Sequence, residues 1–254
     1  MPARPYILAE STWETVRNTP YEVAILPWGA TEAHNRHLPY ATDTMQCDAV
    51  AAESARLAWD AGAKVIVLPT VPFGVNTGQR EVPLCLNMNP STQQAVLYEI
   101  AESVQLCGVK KLLILNGHGG NDFRQIIREL QPKLSLLLCQ IHWFRCVKPD
   151  PFFTTPGDHA GELETSVMLE IAPDLVRPLS EAGPGAENPF KIRGFREGWA
   201  WTQRRWVDAT DDTGTGNPHD ASRDKGRKYM DAVSRQIAGF LVELAAADIK
   251  DLHE

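Results

Sequence analysis

Three short stretches of this chain concentrate the side chains that can hold a divalent metal. The first, Thr31 to Asp43 (TEAHNRHLPYATD), places Glu32, His34 and Asp43 within twelve residues. Carboxylate and imidazole donors mixed in this way suit a divalent ion. In extended backbone Glu32 and His34 project to the same side. Asp43 stands where a helix-compatible run begins, and its two oxygens are free to serve two ions. Taken alone, the stretch reads equally well as a polar loop closed by a helix-capping aspartate.

The second stretch is Asn116 to Asp122 (NGHGGND), with His118 among glycines that let backbone approach a ligand closely. A phosphate-cradling turn is the competing reading, but neither GxGxxG nor a P-loop lysine is present. The third is Gly157 to Ser166 (GDHAGELETS), where His159 precedes a helix and Glu162 and Glu164 fall in its first turn. Acidic residues there also simply complement the helix dipole. Two residues apart on a helix, Glu162 and Glu164 point in different directions, so at most one reaches a metal. Together the stretches supply five or six oxygen and nitrogen donors and a spare histidine. Metal-assisted hydrolysis needs that set: ions to activate a water and polarise a carbonyl, and an imidazole to carry the proton.

The elements that must position these residues are legible as an alternation. Four apolar runs, Val23–Leu26, Val65–Leu68, Leu112–Leu115 and Leu134–Ile141, have the length and flanks of strands buried on both faces. Helix-compatible stretches lie between and after them: Asp43–Ala63, Asn89–Leu106, Asn121–Leu130, Glu162–Ile171 and Ala221–Ala247. Strands alternating with helices predict an α/β fold, a three-layer α/β/α sandwich around a mostly parallel sheet. Ligands in such sheets bind at the carboxyl ends of strands. The loops PWGATEAH, PTVPFGVNTG and NGHGGND follow three of the four strands, so they should converge on one crevice. Residues 178–218, rich in Gly, Pro, Trp and charge, lack periodicity and read as a lid or oligomer contact carried by a single domain spanning 1–254. Trp199, Trp201 and Trp206 within it could line a substrate pocket in a neighbouring subunit, but read more readily as interface or core packing.

The 254 residues are 43% hydrophobic and 22% charged, with a net charge of −7. A negative surface disfavours nucleic acid as a partner. No run approaches the roughly 20 apolar residues that span a bilayer, so no membrane partner is expected. Five cysteines form no CxxC pair or framework spacing, which predicts reduced thiols and a cytoplasmic protein.

The three stretches resemble the creatininase (creatinine amidohydrolase) family. Its Glu-x-His-x-x-His-Leu-Pro-x-x-Thr-Asp run is present from Glu32 to Asp43, its Asn-Gly-His-Gly-Gly-Asn turn from Asn116 to Asn121, and its His-x-Gly-x-x-Glu-Thr-Ser run from His159 to Ser166. Gly214-Thr215-Gly216-Asn217-Pro218 and Lys225-Gly226 are similar to a further family segment. The resemblance implies two divalent ions (Zn, Mn or Fe). Glu32, Asp43 and His118 would hold one, and Asp43 would bridge to a second held by His34 and a further carboxylate. It implies that His159 moves protons to the leaving group. It also implies a homo-oligomer, often a hexamer, acting on a small-molecule substrate.

This chain departs from the family pattern at two places. Gly120 stands where creatininases carry a glutamate ligand, so that role passes to Glu164, or failing that to Glu162. Thr155 stands near where they carry a substrate-covering tryptophan, while Trp143 matches another aromatic position. Trp143 and the backbone of Gly119 and Gly120 are therefore the substrate-binding candidates, and creatinine itself is disfavoured. His37, just before Leu-Pro, reads as a support for the ligands, and His142 as a buried histidine. The expected activity is metal-dependent hydrolysis of a non-peptide C–N bond in an amide, cyclic amide or formamide. A two-metal phosphoesterase is the rival enzyme, although the metal loops offer only Arg36 and Arg124 for a phosphate. A non-catalytic metal-binding module is the other rival.

Overall fold

The computed structural model describes residues 3–253. Its centre is a four-stranded sheet of β1 (Val23–Trp28), β2 (Val65–Val67), β3 (Lys111–Asn116) and β4 (Leu137–His142). The order is β2-β1-β3-β4 and every pairing is parallel. Residues of β1 and β3 are buried throughout, which is why these strands read as continuous apolar runs rather than alternating ones.

Alternate strand residues feed two cores. Val23, Ile25, Leu113 and Leu115 pack with α2 (Thr42–Asp60), α5 (Glu162–Ile171) and α8 (Arg223–Ala246). Ala24, Leu26, Leu112 and Ile114 pack with α3 (Pro90–Leu106) and α4 (Arg124–Leu130). The result is the three-layer sandwich expected. Short helices α1 (Trp13–Arg17), α6 (Arg193–Arg196) and α7 (Trp206–Ala209) lie outside these layers. Among the described residues, no helix is long and apolar enough to cross a membrane.

Element ends shift by a few residues from the sequence reading, as where α4 begins at Arg124 rather than Asn121, and two differences have a clear cause or consequence. The run from Leu134 enters the sheet only at Leu137, because the Gln131 side chain bonds the carbonyl of Leu136 and the N–H of Leu138 and holds Leu134–Leu136 in a turn. The segment around His159 is a short strand rather than a loop. β5 (Gly157–His159) pairs antiparallel with β6 (Thr215–Gly216). Residues 178–218 thus leave α5, run outward through α6 and α7, and return to it at β6.

Three local devices set the sheet's carboxyl edge. The loop after β1 is bonded to the segment after β2, with Gly29 and Leu86 N–H groups donating to the carbonyls of Val71 and Thr31. In α8, Gly226 lies so close to α5 that a Cβ there would stand 1.9 Å from the Ser166 carbonyl oxygen. The neighbouring Lys225 pairs with the buried Glu162. The C-terminal Lys-Gly pair therefore docks α8 onto the helix that carries the glutamates.

Candidate metal centre

The three stretches meet at the carboxyl ends of β1 and β3. The loop after β1 supplies Glu32 and His34, the first turn of α2 supplies Asp43, and the turn after β3 supplies His118. β5 supplies His159, and α5 supplies Glu164. Asp43 lies between two sets of groups. Its Oδ1 is 3.0 Å from His34 Nε2, and its Oδ2 is 3.1 Å from His118 Nδ1. Glu32 Oε1 is 2.8 Å from His118 Nδ1, while Glu164 Oε2 is 3.9 Å from His34 Nε2. Potential ligand atoms within 4.8 Å of one another occur in three groups: Glu32, Asp43 and His118; His34, Asp43 and Glu164; and Glu32, His34 and His159.

Each of the three imidazoles is tied on its other nitrogen to a backbone carbonyl. His34 Nδ1 donates to Glu32 O at 3.1 Å, His118 Nε2 to Val75 O at 3.0 Å, and His159 Nε2 to Ala33 O at 2.8 Å. A carbonyl only accepts, so these bonds fix the N–H on the outer nitrogen and turn the inner one toward the carboxylates. That is how metal-ligating histidines are oriented.

Buried carboxylates facing imidazole nitrogens demand a positive charge between them, from a proton or from a metal. Burial pushes the His34 imidazole down, but Asp43, Glu164 and Glu32 override it and raise it to about 10. His118 behaves alike, held well above the usual range by Glu32 and Asp43 against its burial. Burial alone would raise Asp43, yet the two histidines hold it well below the usual carboxylate range. Glu164 is raised, chiefly by burial. Glu32 Oε1, fully buried, has no partner outside the histidine rings, of which His118 Nδ1 is nearest at 2.8 Å. An orphaned carboxylate oxygen among inward-turned imidazoles, in a set of mixed nitrogen and oxygen donors, fits divalent cations such as Zn, Mn or Fe.

The two glutamates of α5 separate. Glu164 reaches the cluster and accepts a bond from the Ala160 N–H at 2.5 Å. Glu162 turns away: it accepts from the N–H groups of Thr154 and Thr155, each at 2.8 Å, and pairs with Lys225. Gly120 explains why a carboxylate does not enter from the β3 turn. A Cβ there would lie 2.3 Å from the Val75 carbonyl oxygen and 2.5 Å from His118 Nε2, across the bond that orients His118.

Other placements correct the sequence reading. Trp143 is fully buried beneath the β3 turn, its ring packed against Phe144 and Tyr229, and it does not line the cavity. An aromatic just past a strand could be core or pocket, and here the core takes it. Gly119 and Gly120 do line the cavity. His37 supports α5, with Nε2 2.8 Å from the hydroxyl of Thr165, and His142 is half-buried and accepts from Asn116. Trp206, read as packing, lies edge-on to His159 with centroids 5.3 Å apart.

Sequence reasoning missed Gln79, which donates to Glu32 Oε2. The loop PTVPFGVNTG was singled out, but Gln79 is the next residue, and nothing in a glutamine's type announces a support. Asn121 was likewise missed: it accepts from the Val75 N–H at 3.0 Å and so steadies the carbonyl that holds His118.

The cluster lies at the floor of a cavity of about 780 Å³. Its far wall comes from Trp201–Arg204 and Trp206 of the 178–218 segment, and its side wall from Thr154–Gly157. Among described residues all five cysteines are free thiols. Burial pushes the Cys85 thiol up, so it is a hydrogen-bond donor.

Comparison with known proteins gives the family and the fold. The family model for creatininase, described as creatinine amidohydrolase, matches residues 9–241. A mycofactocin precursor peptide peptidase of Mycobacterium tuberculosis is 30% identical over 220 residues, covering 82% of this chain and 80% of that protein. The structure of a candidate creatinine amidohydrolase from Bacteroides fragilis superposes with a TM-score of 0.92 at 44% identity, covering 98% and 99% of the two chains. Creatininase structures, one described with Mn and one of Zn–Zn type, superpose at 0.76 and 21% identity over 96% and 100% of the chains. This chain belongs to the creatininase family.

Proposed function

We propose that this protein is a two-metal amidohydrolase that cleaves a C–N bond of a small amide, cyclic amide or formamide. The observation that carries the reading is the divergence of Asp43, one oxygen turned to His34 and the other to His118. Glu32, Asp43 and His118 would hold one ion. His34, Asp43 and Glu164 would hold the other, with Glu164 in the place closed at Gly120. When bound, the ions would supply Lewis acidity that activates a water and polarises the scissile carbonyl. His159 holds its Nδ1 free beside Glu32, 3.7 Å from Oε1, where it moves a proton to the leaving nitrogen. The backbone at Gly119 and Gly120 lines the cavity, open at Gly119, and would let the substrate approach the ions. With Thr155 at the wall in place of a covering indole, creatinine is not the favoured substrate. Exposed Trp199 and Trp201 support a reading of 178–218, a projection of one domain, as the surface where copies of the chain would meet.

The test is metal content per chain by mass spectrometry after loading with Zn, Mn or Fe, followed by an assay over small amides, cyclic amides and formamides. Two ions and turnover of a C–N bond are expected. A chain that takes up no divalent ion under any loading sinks the proposal.

A further inference from the structure

We propose that Gln79 is a positioning residue that aims one oxygen of Glu32 into the metal centre, and that Cys85 fixes the orientation of its amide. The proposal rests on the metal reading above. Glu32 is fully buried, and its two oxygens are treated differently. Oε2 accepts from the Gln79 side-chain N–H. Oε1 has no donor outside the histidine rings and faces His118, His159 and His34 at 2.8, 3.7 and 4.0 Å. Gln79 is itself 5% exposed, on the turn Thr77–Gln79.

An amide can rotate half a turn and present its oxygen instead, which would set a carbonyl dipole against the carboxylate. Cys85 prevents that. Its thiol donates to Gln79 Oε1 at 3.3 Å and accepts from the Ala33 N–H at 3.2 Å. Ala33 follows Glu32 in the chain, so a closed circuit runs from Glu32 through Gln79, Cys85 and Ala33 back to Glu32. Each bond in it is buried or half-buried, where leaving one partner unmatched is costly. Among side chains the circuit reaches one proposed ligand, Glu32, and it meets His34 only through the Glu32–Ala33 peptide whose carbonyl that ring bonds. Its effect should therefore fall on the ion that Glu32 holds.

The test uses the full chain and three variants, with Zn or Mn affinity read by chelator competition and the melting temperature of the metal-free protein read alongside. Gln79→Met keeps length and apolar volume but removes the donor. Cys85→Ser keeps both a donor and an acceptor, and Cys85→Ala keeps neither. We expect Gln79→Met to weaken one ion by about 10- to 100-fold, as loss of a supporting bond does, with the other ion unchanged and the metal-free melting temperature lowered less than the loaded one. Cys85→Ser should bind like the unaltered chain, and Cys85→Ala should fall between. The role of Gln79 is overturned if Gln79→Met binds both ions normally, or if it lowers the metal-free melting temperature as much as the loaded one. Cys85→Ser binding as poorly as Gln79→Met overturns the role of Cys85. An unaltered chain that takes up no ion overturns the metal reading itself, and the positioning role with it.

Discussion

On the sheet side of the cavity, Glu32, His34, Asp43 and His118 are between 0 and 5% exposed, and each faces a group of opposite character. On the far side, Trp199 and Trp201 are 75% and 82% exposed. That wall is fastened by ion pairs such as Arg205–Glu81 and Arg204–Asp158. Buried charges without water cannot lose a partner cheaply, whereas exposed pairs each contribute little. The inner wall is thus intolerant of change and the outer wall permissive. A family that shares its ligands can vary its substrates by altering the outer wall alone.

Asp43 is where the inner wall should break most severely. Asp43→Asn leaves its shape but removes the charge that both histidines answer. Loss of one partner of a buried pair costs about 3–5 kcal/mol. Affinity for both ions should therefore fall by at least about a hundredfold, read by chelator competition. Retention of even one ion at normal affinity would show that Asp43 does not bridge.

The two α5 glutamates sharpen the contrast, because they are two residues apart with different partners. Glu164→Gln should cost one ion of the two. Glu162→Gln should keep both, since its oxygens hold Thr154, Thr155 and Lys225. It should instead loosen the side wall, raising KM while kcat holds. Metal counting and steady-state kinetics on both variants decide it. A Glu162 variant that lost an ion would reverse the assignment.

Gly119 and Gly120 make the same comparison within one turn. A methyl at Gly119 meets nothing within 4 Å, while one at Gly120 collides with Val75 O and His118 Nε2. Gly120→Ala should lower stability by about 1–3 kcal/mol, as overpacking does, and weaken the ion held by His118. Gly119→Ala should leave stability and metal affinity alone. Thermal melting and metal titration of the pair would expose any error in the turn.

Much of the inner wall was legible in the sequence because its chemistry depends on residue type. Glu32, His34, Asp43, His118 and His159 are of the residue types that can bind metal or carry protons, and each lies near a strand end or a helix start, where ligands gather. β1, β2 and β3 were legible because burial on both faces leaves continuous apolar runs, and β4 as a half-buried apolar run at the sheet edge. Gln79 and Asn121 were not, since a support is defined by what it touches rather than by what it is. Trp143 misled because an indole serves a core and a pocket equally. The 178–218 segment, with no periodicity to read, hid Trp206 at the cavity.

His37 gives a smaller, pH-dependent effect. Burial lowers its imidazole to about 4, with the nearby His34 adding to the shift. In the unfolded chain the same group titrates near about 6.5. Between these values the unfolded chain binds a proton that the folded one refuses, so stability falls as pH drops from about 6.5 to about 4 and levels below. His37→Gln should flatten that part of the melting-temperature profile relative to the unaltered chain. Parallel profiles would mean that His37 takes up its proton in the folded state.

Arg205 offers the smallest effect and the sharpest check on the outer wall. It pairs with Glu81 at 2.7 Å and Asp208 at 2.9 Å, with all three side chains more than half exposed. Arg205→Ala should cost about 0–1 kcal/mol, less still in high salt, and should leave metal affinity untouched. Glu81, however, lies two residues past Gln79, on the loop that carries the support for Glu32. Should Arg205→Ala weaken an ion, the two walls would be coupled through that loop. A flat result in metal titration, with only a slight shift in melting temperature, means the outer wall rests on the cavity without setting its chemistry.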